Sequence, residues 1–157
     1  MLLLNLICLV SVSKTAAVPY EQYILAPSSR NVHPVSIHSV NGTVIGAESL
    51  AGTTNGIALF VGNSAVTYDF GVNVGGPLTI QFAPRTSGCV GVTFTESSLW
   101  ISGLGCDATA DSGIDAPLWF CAQDADINGR VAADADHGRG AFRYIQAIFR
   151  MHVDIEN

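Results

Sequence analysis

Three times between Ala65 and Trp100, apolar side chains fall on alternate positions: Val66, Tyr68 and Phe70; Leu78, Ile80 and Phe82; Val90, Val92 and Phe94. Thr67, Asp69, Thr79, Gln81, Gly91 and Thr93 fill the places between. A strand turns successive side chains to opposite faces, so each run offers one apolar face to a core and one polar face to water. Gly71–Pro77 and Pro84–Gly88, both rich in turn formers, separate the runs. Short half-buried strands at this spacing predict an all-β fold, an antiparallel sandwich or barrel and not a parallel α/β sheet. Of the two, the antiparallel β-sandwich, of jelly-roll or galactose-binding-like type, is the expectation.

The chain of 157 residues makes one domain with room for a real core. At 48% hydrophobic and 13% charged residues it is too apolar to be disordered. Lys14 is the only lysine, leaving six arginines against thirteen acids in the rest of the chain, a net charge of −7. No basic stripe exists to neutralise phosphates, which argues against a nucleic-acid partner.

Leu2–Val12 is almost wholly apolar and is followed by Ser13-Lys14-Thr15-Ala16-Ala17. This run is far shorter than the roughly 20 residues a membrane-spanning helix needs. It reads as a secretory leader, residues 1–17, cut after Ala17, and so predicts a secreted, extracellular protein with no membrane anchor. Cys8 leaves with the leader; Cys89, Cys106 and Cys121 remain, enough for one disulfide and one free thiol, with the pair left open. Their spacing matches no zinc pattern. Asn41-Gly42-Thr43 is an acceptor for N-glycosylation and is equally a turn.

Elsewhere the sequence predicts a strand and Pro/Ser turn over Tyr23–Pro34, strands over Val35–Val40 and Ile57–Val61, and a surface loop over Asn41–Gly56. Ser102–Ala116 reads as a second polar loop and Pro117–Phe120 as a short strand leaving it. Asp124-Ala125-Asp126-Ile127-Asn128-Gly129 copies the first half of an EF-hand loop, but the twelfth position is Ala135 instead of glutamate. Asp134 and Asp136 are the candidate replacements; a tight hairpin turn at Asn128-Gly129 accounts for the segment better, so no metal is assigned. Finally, Ile145, Ala147, Phe149, Met151, Val153 and Ile155 share one face of a long strand. The chain stops at Asn157 without a turn or partner strand, which predicts a sandwich incomplete at its C-terminus.

Four segments occur in an order that resembles one family: Tyr23-Ile24-Leu25-Ala26-Pro27-Ser28-Ser29-Arg30; Asp69-Phe70-Gly71 with Val74-Gly75-Gly76; Phe94-Thr95-Glu96-Ser97-Ser98-Leu99-Trp100; and Arg139-Gly140-Ala141-Phe142-Arg143-Tyr144. Together they are similar to the N-terminal β-sandwich of fungal α-L-rhamnosidase-like enzymes of glycoside hydrolase family 78. The likeness spans roughly Tyr20–Phe149, and Arg150–Asn157 departs from it as a divergent tail. It implies inverting hydrolysis of terminal α-L-rhamnose by the parent enzyme, with acid and base carboxylates on a later (α/α)6 barrel that this text lacks. Inverting chemistry needs two carboxylates roughly 6.5–9.5 Å apart, and nothing in the spacing pairs Glu48, Glu96, Asp111 or Asp115. No catalytic residue and no cofactor is therefore assigned.

The expectation is a non-catalytic accessory β-sandwich over residues 18–157 that leans on the missing barrel. The alternative is a free-standing lectin-like module that binds glycans through Trp100, Trp119 and the Ser102–Ala116 loop. Both tryptophans suit sugar faces, and both suit a core. Gly75 and Gly76 are expected to allow a turn or bulge where side chains would clash. Phe142 and Tyr144 straddle Arg143, which places Arg143 on the opposite face, paired with Glu96 or capping a loop. His33, His38, His137 and His152 show no ligand spacing. Ser97 and Ser98 lack a nucleophile elbow.

Overall fold

A computed structural model describes residues 31–52, 56–106, 115–133 and 139–150. The alternating runs form strands as the pattern requires, and the fold is all-β and antiparallel. The strands are β1 (Ser36–Ile45), β2 (Leu59–Gly76), β3 (Thr79–Gln81), β4 (Cys89–Thr95), β5 (Leu118–Cys121), β6 (Arg130–Ala132) and β7 (Arg139–Phe149). Among the described residues the only helical turns are 3-10 segments at Ala47–Leu50, Ser98–Trp100 and Ala122–Asp124. Five strands make one sheet in the order β1-β2-β7-β4-β5, and β3 pairs with β6 in a separate ribbon.

Register explains the core. Val66 stands opposite Ala147 and Tyr68 opposite Ile145 on one side of β7; Val92 stands opposite Ala147 and Phe94 opposite Ile145 on the other. The alternating sets of three strands therefore share one face. Val92, Phe94, Phe120, Phe142 and Ile145 are buried together, with Ile80 of β3 and Val131 of β6 packed against them. At the other end of the sheet Val66, Tyr68 and Ala47 form a second cluster, and the Tyr68 hydroxyl donates to the Ala47 carbonyl at 3.0 Å. Burial pushes the Tyr68 phenol up to about 12, with the Glu48 carboxylate adding to the effect.

The opposite face is not the solvated one that alternation predicts. Thr67, Gln146 and Thr93 stand side by side across β2, β7 and β4, yet Thr67 is 1% and Thr93 3% exposed. The chain leaving β4 folds back over them. Thr93 donates to the Ser102 carbonyl (2.7 Å) and Gln146 donates to Thr67 Oγ1 (3.1 Å), so the buried polar groups are partnered. Glycine at position 103 permits the approach: a Cβ there would sit 3.2 Å from Gln146 Oε1 and 3.4 Å from Ile148 Cδ1.

Several boundaries differ from the sequence reading. Asn41-Gly42-Thr43 lies inside β1, not in a loop, and the ladder accommodates it by a register shift at Gly42, whose φ is +73°. The expected strand Ile57–Val61 starts only at Leu59 and is one with Val66–Phe70 in β2, which also runs on through the expected turn to Gly76. It does so irregularly: Asp69 faces Tyr144 and Val74 faces Phe142, so four residues of β2 bulge against one of β7. Asn128-Gly129 does form a tight turn, with Gly129 N–H donating to the Asp126 carbonyl, but β6 leaves it to pair with β3. Tyr23–Arg30 and Met151–Asn157 lie outside the described residues, as do Asp111, Asp134, Asp136 and His137.

Cys89 and Cys121 are bonded across the β4–β5 pair, where they stand directly opposite one another, and Cys106 is a buried free thiol.

Candidate functional site

Two of the segments that carry the resemblance, those at Asp69–Gly76 and Arg139–Tyr144, meet through a forked ion pair. Arg143 donates from Nε to Asp69 Oδ1 (2.8 Å) and from Nη2 to Asp69 Oδ2 (2.9 Å). Asp69 also accepts from the Gly71 N–H at 2.6 Å, which ties the start of the β2 bulge to the same carboxylate. The Arg143 guanidinium beside it, aided by that N–H, holds the Asp69 carboxyl below the usual range against the opposing effect of burial. Arg143 is raised in turn by Asp69.

Arg143 does not face away from both aromatics. Its guanidinium lies 5.2 Å from the centre of the Tyr144 ring, while Phe142 packs edge-on against Phe70 and Phe94 in the core. β7 itself breaks alternation here, since Phe142 and Ile145, three residues apart, both lie in the core cluster while Arg143 between them turns to Asp69. His38 of β1 meets the Tyr144 ring edge-on at 5.1 Å. Glu96 does not pair with Arg143; its Oε2 accepts from Asn73 Nδ2 at 3.5 Å. The Arg143–Asp69 pair thus ties the fourth of the resembling segments to the second, and a separate contact from Asn73, in the β2 bulge, reaches Glu96 of the third.

Gly76 owes its place to backbone conformation and not to crowding. Its φ is +142°, and nothing lies within 4 Å of the Cβ it lacks. Gly75 precedes it as an exposed residue at the end of β2.

The two tryptophans stand apart in character. Trp100 ends a 3-10 turn and is 67% exposed; Ser97 caps that turn by accepting from the Leu99 N–H at 3.3 Å. Trp119 stands opposite Gly91, and three atoms of its six-membered ring lie at 3.0–3.1 Å from the position of a Gly91 Cβ. Near-equal distances to three ring atoms mean that the indole lies face-on over Gly91. At 46% exposure the ring presents its outer side to solvent.

A cleft of about 540 Å³, open to solvent and within the usual size range of small-molecule sites, lies on the threonine-bearing face and takes in neither tryptophan. Its floor is Ala65 of β2 and Ile148 of β7, which stand opposite each other, and its far wall is Ile101 and Gly103. Asn41, Asn63, Gln146 and Arg150 supply its polar side chains, and Arg150 donates to the Gly103 carbonyl at 3.0 Å. Among the described residues no carboxylate lines it. Asn41 stands opposite Ala65, so the asparagine of the Asn41-Gly42-Thr43 triplet is on the cleft's rim. Nothing in the sequence signals this cleft, since it arises where small side chains from distant segments come together.

The half EF-hand is an Asx-type turn. Asp126 Oδ1 accepts from the N–H groups of Asn128 (2.8 Å) and Arg130 (2.9 Å), and these hydrogen bonds, the one from Arg130 foremost, lower its carboxyl below the usual range.

A scan against protein-family models and a search of curated proteins both find no match to this chain.

Proposed function

We propose that the chain is the accessory β-sandwich of a secreted α-L-rhamnosidase-like glycoside hydrolase, without turnover of its own, whose catalytic carboxylates reside on an (α/α)6 barrel. The observation that carries this reading is the forked Asp69–Arg143 pair, which ties the second of the segments on which the resemblance rests to the fourth, although 74 positions separate the two residues. Segments that serve one structural node are expected to recur together, in order, in any chain that uses the node. The disulfide is compatible with export. The experiment is to sequence the native transcript beyond the Phe149 codon: a frame open into a helical-repeat barrel supports the reading, and a different enzyme domain there overturns it.

Trp119 favours a second reading, a lectin-like module. An indole lying flat on Gly91 with its outer side in water is a ready platform for a pyranose face. Calorimetric titration with rhamnose-bearing oligosaccharides tests it. Binding that disappears in Trp119→Ala supports this reading, and no heat at millimolar sugar contradicts it.

A further inference from the structure

Resting on the secreted reading above, the geometry points to the cleft as the seat of the protein's own N-linked sugar: the first N-acetylglucosamine on Asn41 folds back over Ala65 and Ile148. The acceptor is placed for both modification and docking. Asn41 and Thr43 are exposed on β1, an edge strand, and flank the bulge at Gly42. Asn41 pairs in register with Ala65, and Ala65 with Ile148, so the floor begins one strand spacing from the acceptor and ends two spacings away. Strands lie about 4.8 Å apart, so this floor is within reach of one sugar on the asparagine side chain. The small side chain of Ala65 leaves room on the floor, and Gly103 closes against Gln146 and Ile148 at its far side.

Its chemistry matches the occupant. The C–H face of the sugar and its acetyl methyl meet Ala65 and Ile148. The amides of Asn63 and Gln146 and the guanidinium of Arg150 lie around them for hydroxyl and acetyl oxygens. A neutral amino sugar needs no countercharge, and no carboxylate is present to demand one. In the attachment step the Asn41 amide nitrogen forms a bond to C1 of the sugar on a lipid-diphosphate-linked oligosaccharide. The C1–oxygen bond breaks, the lipid diphosphate departs, and the amide loses one proton to a base on the transferring enzyme.

The test uses the full chain behind a heterologous leader in a glycosylating host, so that export does not depend on Met1–Ala17. An endoglycosidase then trims the glycan to a single N-acetylglucosamine, and hydrogen exchange is followed at Ile101–Leu104. The trimmed protein should exchange about tenfold more slowly there than either Asn41→Gln or Thr43→Ala, equivalent to about 1.4 kcal/mol. Filling the depression with Ala65→Leu, still glycosylated, should abolish the dependence on the sugar. Vacant Asn41 in the exported protein, or equal exchange with and without the sugar, overturns the proposal. Neither result depends on whether a catalytic barrel lies downstream, so the two readings fail separately.

Discussion

Arg143 grips Asp69 with two hydrogen bonds of 2.8 and 2.9 Å, and the carboxylate it holds is the one that starts the bulge in β2. The pair fastens the centre of the sheet to its most irregular strand. Because Asp69 is depressed in the fold, its contribution to stability is present above the ordinary carboxylate range and is lost as pH falls through the folded value. Asp69→Asn should melt earlier than the parent at pH 7 and show a flatter loss of stability below about pH 4. Calorimetry from pH 7 to pH 2 checks this. Arg143→Lys should recover only part of the stability, since an ammonium cannot reproduce the forked geometry.

Tyr68 gives the opposite sign. Its folded pKa of about 12 lies above the ordinary value near 10, so the neutral phenol stabilises the fold below pH 10. Between about pH 10 and pH 12 the unfolded chain ionises first, and roughly 3 kcal/mol of stability is lost. Tyr68→Phe should cost about 1 kcal/mol at pH 7, for the hydrogen bond to Ala47, and should lack that alkaline loss. Urea titrations at pH 7 and pH 11 measure both.

The bridge between Cys89 and Cys121 closes a loop with a sequence separation of 32. Replacing both cysteines with serine should remove about 3–4 kcal/mol, read as a lower denaturant midpoint. In a chain beginning at Val18, a thiol reagent should find no fast-reacting group before denaturation and one afterwards, because Cys106 is 3% exposed.

Phe120 and Trp119 are neighbours on β5 that point to opposite faces. Phe120 is 2% exposed in the core, so Phe120→Ala should cost about 3–5 kcal/mol. Trp119, half in solvent, should cost far less when truncated. Thermal melts of the two variants check the facing of the whole edge strand.

Much of the architecture was legible where one pattern dominates. Val66–Phe70 and Val90–Phe94 alternate without interruption, and each is a strand with its apolar set in the core. The pattern fails where local chemistry and tertiary pairing compete. Asn41-Gly42 reads as a turn, yet one bulge at Gly42 lets β1 continue to Ile45. The position of β7 between β2 and β4 is invisible locally, because strand order depends on partners far away in the chain. The same holds for Arg143: regular alternation places it with Ile145, and a break in the alternation of β7 between Phe142 and Ile145 turns it to Asp69. The cleft was illegible for a related reason, since Ala65 and Gly103 become significant only when Asn41, Gln146 and Arg150 gather round them.

The central claim concerns turnover. Hydrolysis of an aryl α-L-rhamnoside should be measured with this chain alone and with a rhamnosidase (α/α)6 barrel added in trans. The account predicts no release of aglycone by the chain alone, and slower thermal inactivation of the barrel when the chain is present. Steady hydrolysis by the purified chain, abolished by replacing one of its own carboxylates, would contradict it.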